Sequence, residues 1–435
     1  MMEAFKNNTA KGLKDRVVIG MDLNDEFAQI SYAALGTEPK TLVIDAEEDS
    51  MRIPTVLGRM YGENVWLSGA EARAKAEANE AFLIDHLVSK AIDGSRVEVE
   101  TSDYDPNDLL ALFIKKCLGR LTPVAAVEKA ALIVISVEDP DERMIEVLTQ
   151  AIRTLRIRQE KVFFLSHAES AFHYILHQPK ELWSHDVCIF DMKERGMGLW
   201  SFHQNIRTSP AVMMVEEKSF PDMKPVRFYG KPGESGKKNR LDTEFYNILY
   251  GHMEDKMVSS VYLLGDGFAG DWTKDSLKYI CRGRRAFSGN NLFSKGACYG
   301  GMEKLEESGL EKGIVFLGKD KIRANLGMKV MREGRESYMA LLDAGRNWYD
   351  CVKECDLLMD YVNPINIIVT PIDGKGIREE AVYLPGAPVR PARATRIHFE
   401  IRMLSVGRVR VVVRDMGFGE FYAPSGMVWE SEFRI

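Results

Sequence analysis

Apolar positions before about Lys312 fall alternately into short unbroken runs and helix-spaced stripes. Val17-Val18-Ile19 is one run. Asn24-Asp25-Glu26 supplies a turn and Phe27-Ala28-Gln29-Ile30 resumes, which predicts two strands around a bend. Further strands are predicted at Ile53–Leu57, Val65–Leu67, Ala130–Val137, Lys161–Leu165, Asp186–Asp191 and Val261–Leu264. Helices are predicted over Gly69–Ala78, Asn107–Leu121 (opened by Asp105-Pro106), Asp141–Thr154, His167–His177, Thr243–Met253, Lys274–Cys281 and Ala297–Leu305. Alternation of buried strands with helices predicts mostly parallel α/β sheets. Phe202 to Asn239 is polar, with prolines and glycines, and reads as loop or short hairpins. No internal repeat shows in the sequence.

After Lys312 the period changes to two. Ile397, Phe399, Ile401 and Met403 alternate with Arg396, His398, Glu400 and Arg402. Val409, Val411 and Val413 alternate with Arg408, Arg410 and Arg414. Half-buried antiparallel strands have this pattern, so the tail is predicted to be a separate β-sandwich. The expected organisation is 1–313 (first lobe 1–185, truncated second lobe 186–313), a linker at 314–322, and the sandwich at 323–435.

Composition narrows the class. The 435 residues are 45% hydrophobic and 28% charged, enough to build full cores. A net charge of −6 argues against a general nucleic-acid binder. No apolar run reaches a membrane span of roughly 18 residues. Met1 to Arg16 has no apolar signal core, so a cytoplasmic protein is expected. Six scattered cysteines suit buried thiols better than disulfides. Cys351 and Cys355, at helical spacing, read as core packing.

The order of elements resembles the seventy-kilodalton heat-shock (DnaK-like) chaperones of the actin and hexokinase-like ATPase superfold. Val18-Ile19-Gly20-Met21-Asp22-Leu23 is similar to the first phosphate loop and Val187–Met192 to the second. Ile133 to Leu155 is similar to the strand and helix between them. Val261 to Gly267 is similar to the adenosine loop, Asn290 to Gly301 to the final helix, and Thr395 to Ile435 to the end of the peptide-binding sandwich. The sequence ends at Ile435, so the family's helical lid is expected to be absent. The resemblance implies an actin-like ATPase-type domain of two lobes, mixed sheets with flanking helices, followed by a β-sandwich that binds a peptide or protein.

It also implies site residues. Asp22 and Asp191 match the loop aspartates that hold Mg²⁺ through water. Gly265, Asp266 and Gly267 match the adenosine loop, and Glu169 stands nearest the family's cleft glutamate. ATP or ADP with Mg²⁺ would be the cofactor. The phosphate loops depart from the family. Asn24-Asp25-Glu26 replaces Gly-Thr-Thr, aiming negative charge where phosphates would lie. Lys193-Glu194-Arg195 replaces three glycines that let backbone approach phosphate. Asp85 falls at the catalytic lysine, for which Lys90 is the available substitute. The helical subdomain that clamps adenine is missing between Asp191 and Gly265. ATP hydrolysis is therefore not expected, and the chain reads as a pseudo-ATPase with a peptide- or protein-binding sandwich. An ATPase with a rewired phosphate site, and an actin-like assembly protein, are the alternatives. The sequence does not set the oligomeric state.

Three other patterns carry less. Gly230 to Lys238 imitates a phosphate-binding loop, but the spacing fails, and it reads as a solvated basic loop. Glu169, His173 and His177 share one helix face as a metal trio would, with neighbour-satisfied histidines the commoner outcome. The arginines from Arg390 to Arg414 read as a solvated strand face, with an acidic partner as the alternative and nucleic acid disfavoured.

Overall fold

The computed structural model describes residues 17–44, 50–122, 130–207, 210–226, 234–306, 313–360, 364–372, 374 and 376–435. Met1–Arg16 and Gly230–Gly233, used above, lie outside the described residues. The chain is mixed α/β with a strand-rich C-terminal region, and divides into compact units at Phe316/Leu317.

In the first unit, the chain runs β1 (Val17–Leu23), β2 (Phe27–Ala34), β3 (Lys40–Thr41), β4 (Ile53–Pro54), β5 (Leu57–Met60), β6 (Trp66–Ser68), α1 (Ala70–Glu77), β7 (Ala81–Ile84), α2 (Leu87–Asp93), β8 (Val97–Val99), β9 (Ser102–Tyr104), α3 (Pro106–Gly119), β10 (Ala130–Val137), α4 (Glu142–Thr154), β11 (Val162–Ser166) and α5 (His167–Leu176). It continues through β12 (Asp186–Lys193), β13 (Gly196–Asn205), β14 (Ala211–Phe220), α6 (Glu234–Met253), β15 (Val258–Leu264), α7 (Lys274–Ile280), β16 (Arg285–Ser288), α8 (Leu292–Leu305) and β17 (Ile314–Leu317).

Beside the small sheets β6-β5-β7 and β8-β9, these strands build two six-stranded sheets of the same design. One is ordered β11-β10-β1-β2-β3, the other β16-β15-β12-β13-β14, with β17 beyond β14. In both, the first strand makes an antiparallel hairpin with the second and lies parallel to a later strand. Even the register irregularity recurs, between Val17 and Val18 and between Asp186 and Val187. Asp22 and Asp191 are the sixth residues of β1 and β12. The unit is thus internally repeated, which the sequence hides because the aligned strands share little beyond one valine (Val18, Val187) and this aspartate.

Each sheet has its own outer core. Ile19, Met21 and Ile135 pack with Phe113 of α3 and Leu148 of α4, while Phe190 and Leu199 pack with Phe245 and Leu249 of α6. The helices that end the halves are exchanged. Phe172 and Ile175 of α5 join Ile189 and Trp200 of the second sheet. Cys298 and Met302 of α8 join Val18 and Leu132 of the first. Each such side chain contributes about 1.5–3 kcal/mol on burial. Small residues set the close approach. A β-carbon at Gly20 would collide with the backbone of Ser294 and Cys298, and one at Gly296 with the backbone of Ser170.

Several elements differ from expectation for local reasons. The stretch from Phe202 to Asn239, expected as loop or short hairpins, contains the hairpin of β13 and β14, paired over nine positions, and the start of α6 at Glu234. β14 carries a polar, exposed second half, which disguises it. α8 begins at Leu292, before the expected Ala297. Residues 314–317, expected in a linker, are strand β17, with Ile314 and Phe316 buried and Phe316 stacked on Phe172 at 5.0 Å.

In the second unit, β18 (Ala324–Arg332), β19 (Arg335–Leu342), β20 (Val352–Met359), β21 (Ile365–Pro371), β22 (Arg378–Val382), β23 (Thr395–Ser405), β24 (Arg408–Gly417) and β25 (Val428–Arg434) form two four-stranded antiparallel sheets, β19-β18-β21-β22 and β20-β23-β24-β25. The period-two positions are buried as expected: Ile397, Phe399, Ile401, Met403, Val409, Val411 and Val413. Cys355 lies on strand β20 and Cys351 just before it, so the pair does not share a helix face. All six cysteines are free.

Candidate functional site

Asp22 and Asp191 end their strands in equivalent places, and each has a cationic or polar partner from the chain itself. Asp22 is 1% exposed. Its Oδ1 lies 2.8 Å from Nε2 of His167, the first residue of α5. That imidazole is fully buried and stacks on Phe293 of α8 at 3.9 Å and 8°. Gln29 stands directly across from Asp22 on β2, and Ser136 beside it on β10. Gln29 is completely buried and its amide makes no hydrogen bond. Ser136 Oγ bonds Ser170 Oγ at 2.7 Å.

At Asp191 the partner is Lys193. Residues two apart on a strand share a face. The Lys193 ammonium lies 3.0 Å from Asp191 Oδ2 and 3.2 Å from Glu138 Oε2, just past β10. Burial opposes the charge on Lys193, but Asp191, Glu138 and Asp22 outweigh it and hold its pKa above the usual lysine value. Burial likewise opposes ionisation of Glu138, and Lys193, then His167, overcome it and hold the carboxyl below its ordinary value. Glu26, at the end of the β1–β2 turn, goes the other way: burial raises its pKa.

The two hairpin turns are occupied structurally. Asn24 Oδ1 accepts the Glu26 and Phe27 amides, each at 2.9 Å. Asp25 is engaged by partners within the chain. It accepts the Val88 and Ser89 amides at 3.0 Å and the Ser89 hydroxyl, capping α2, and faces Arg195 at 3.5 Å. Lys90 is held by Asp85, through its carbonyl at 2.7 Å and its carboxylate at 3.0 Å.

Gly265, Asp266 and Gly267 follow β15. Gly265 has φ +88° and donates to Asn290 Oδ1 at 3.1 Å. A β-carbon there would strike the Met192 carbonyl and Asp191, and one at Gly267 would strike the Met192 side chain. These glycines therefore serve close packing of this turn on β12, and the Met192 thioether fills the space beside Gly267. Asp266 is exposed and pairs with Arg52, whose guanidinium lies 4.3 Å over Phe27. Glu169 is buried on α5, its amide donating to Ser166 Oγ at 3.2 Å.

The metal-like trio separates. His173 Nδ1 meets Glu303 Oε2 at 3.0 Å, and His177 Nδ1 meets the His173 carbonyl at 2.8 Å and Glu303 Oε1 at 3.5 Å. His177 also stacks on Tyr299 at 3.8 Å, so these residues join α5 to α8. Among the described residues, no group of three or more His, Cys, Asp or Glu is arranged to hold a metal ion. Likewise, no described helix is long and apolar enough to cross a membrane. Glu234 to Lys238 of the basic stretch is the first part of α6, and Lys238 pairs with Asp271.

In the second unit most of these arginines are paired with acids, one pair of them buried. Arg390 makes two 2.8 Å bonds to Asp415, Arg393 one to Asp360, Arg402 faces Glu400, and Arg408 and Arg410 share Glu432. The Arg390 bonds, followed by donors from Ser425 and Gly417, hold Asp415 far below the usual carboxylate range. A cavity of about 880 Å³ opens between strands of both sheets, lined by Met328, Met331, Met339, Cys355, Leu357 and Met359 among others. Met328 and Met339 are directly opposed across β18 and β19. β20, which supplies three of these residues, ends its sheet.

The placement of Asp22 and Asp191 on strands, and of Gly265 just after one, is legible in the sequence. The partners are not: His167, Glu138 and Arg52 reach the site from distant segments. Only Lys193, two residues from Asp191 on a strand, carried a local signal.

Comparison with family models gives two matches. Residues 38–319 match the C-terminal model of a family of unknown function, DUF5716, and residues 321–435 match a domain of unknown function, DUF8552. A search of curated proteins finds no match. With most of its length covered by the first model, the chain belongs to the DUF5716 family.

Proposed function

We propose that this protein is a pseudo-ATPase relative of the seventy-kilodalton heat-shock chaperones, with an actin-like domain of two lobes and a C-terminal β-sandwich that binds an extended peptide or protein segment. The observation that carries the reading is the Lys193 ammonium beside Asp191. The repeated sheet design, with an aspartate at the same position of each first strand, supports the actin-like domain. The residues do not fit a magnesium nucleotide. A lysine stands where the family has a glycine, its ammonium already neutralises the carboxylates, and Met192 packs into the glycine turn. Phosphoryl transfer relies on positioned cations and backbone donors around the phosphates, and here the Lys193 ammonium is engaged by Asp191 and Glu138 and Arg195 faces Asp25.

For the second unit, the methionine-lined cavity and the terminal position of β20 support peptide capture. An extended segment adds main-chain hydrogen bonds to a strand edge, and flexible thioethers adapt to different apolar side chains. The test is binding of the full chain to an array of overlapping unstructured 13-residue peptides, beside Met339→Glu, which places a charge in the cavity. A subset of apolar peptides should be retained, and Met339→Glu should lose them. Retention of none, or equal retention by Met339→Glu, overturns the peptide-binding reading.

A further inference from the structure

β20 is the last strand of its sheet, and its ladder to β23 decides which of its groups stay open. The two strands run antiparallel, with Val352 across from Arg402 and Met359 across from Thr395. One pair earlier, the Met403 amide donates to the Cys351 carbonyl at 3.0 Å, which makes Cys351 a hydrogen-bonded position. Such positions alternate along an antiparallel pair. Lys353, Cys355, Leu357 and Met359 therefore turn their amides and carbonyls toward β23. Val352, Glu354, Asp356 and Leu358 turn theirs away, and among the described residues no main-chain hydrogen bond is made to them. The same alternation sorts the side chains. Cys355, Leu357 and Met359 are half-buried and line the methionine cavity, while Val352, Glu354, Asp356 and Leu358 are exposed on the outer face.

Charge on that outer face is matched strand by strand until it reaches the edge. Glu432 of β25 takes Arg408 and Arg410 of β24, and Glu400 of β23 takes Arg402 and Arg414. Glu354 and Asp356 end the row. They share one imidazole, His398, at 3.9 and 2.9 Å, and both acids are more than half exposed.

We infer that β20 selects an extended segment in which Lys or Arg alternates with apolar residues, the basic side chains opposite Glu354 and Asp356 and the apolar ones turned into the methionine cavity. The inference rests on the peptide-binding reading above and adds its specificity. A strand bonded to this edge sets residues directly opposite Glu354 and Asp356 on the same face, where opposite charges attract and like charges repel. Its alternate residues then face the cavity. A second copy of the chain is a poor occupant, because β20 laid antiparallel on β20 sets Glu354 against Asp356. The acids thus oppose self-pairing at an open edge as well as choosing the partner.

Fluorescence anisotropy of labelled octapeptides on the full chain tests it. One probe alternates Val with Lys, one carries the same residues in two blocks, and one alternates Val with Glu. The alternating Val-Lys peptide should bind at least about fivefold more tightly than either of the others, and Glu354→Gln with Asp356→Asn should erase that advantage. Main-chain geometry supplies a readout that needs no variant. Lysines opposite Glu354 and Asp356 point their amides at β20, and the intervening valine amides point away. N-methylation of the lysine amides should abolish binding, and N-methylation of the valine amides should leave it. Equal binding of the alternating and block peptides, an unchanged affinity in the double variant, or equal effects of the two methylation patterns overturns this inference and leaves the peptide-binding reading standing. Binding of none of the octapeptides overturns it too, and the peptide array decides whether the broader reading falls with it.

Discussion

Replacing Lys193 by methionine isolates the energetic content of the site. The substitution preserves the length of the stem, so little packing is lost and the change is electrostatic. Asp191 is left 5% exposed without its ammonium. Breaking a buried pair in this way costs about 3–5 kcal/mol. Glu138 is 60% exposed and adds little, so the lower end applies. For a unit of 316 residues, the usual unfolding entropy turns about 3 kcal/mol into a fall of about 5 °C in Tm. Removing both charges, in Lys193→Met with Asp191→Asn, leaves neither ion stranded and should recover most of that loss. The assay is calorimetric unfolding of wild type, both single variants and the double variant, read as a double-mutant cycle. A Lys193→Met transition within about 1 °C of wild type would refute the reasoning, as would a double variant whose loss is the simple sum of the singles.

Other substitutions test neighbouring features. Gly265→Ala forces a β-carbon into the Met192 carbonyl at a φ of +88°, and should destabilise the first unit by about 1–3 kcal/mol in urea unfolding. His167→Ala removes the partner of a buried carboxylate together with a ring stacked on Phe293, and should cost about 3 kcal/mol or more by the same measurement. Asp415 supplies a pH prediction. Its folded pKa lies below its unfolded value near 3.8, so its contribution is complete above that pH and is lost as the pH falls through the folded value. The stability gap between wild type and Asp415→Asn, read by hydrogen exchange in β24 and β25, should be constant above about pH 5 and shrink below pH 3.8.

Strands whose faces are both buried, or whose faces alternate cleanly, were readable directly. β1, β10, β12 and β15 appear as apolar runs, and β23 and β24 as period-two patterns, because burial alone decides those residues. Where burial was one-sided or partial the pattern faded. The polar outer half of β14 leaves loop and short hairpin undecided in the sequence. The first turn of α8, Leu292 to Gly296, ends on a poor helix former that allows close approach to the Ser170 backbone of α5, so the sequence pattern starts the helix late. The candidate site divides in the same way. Asp22 and Asp191 could be placed at strand ends from local sequence alone. That Asp25 caps α2, and that Lys193 ends on Glu138, depends on contacts between segments more than 50 residues apart. Such contacts leave no periodicity to read.

On the pseudo-ATPase proposal, the chain's own charges occupy the strand ends where a nucleotide's phosphates would otherwise bind. Thermal unfolding of the full chain with and without millimolar MgATP or MgADP tests it most directly. A ligand at about 100 times its Kd would add about 2.7 kcal/mol to the native state, or about 4 °C for a unit of this size. No displacement is expected with either nucleotide. A shift of several degrees that disappears in Asp191→Ala would contradict it.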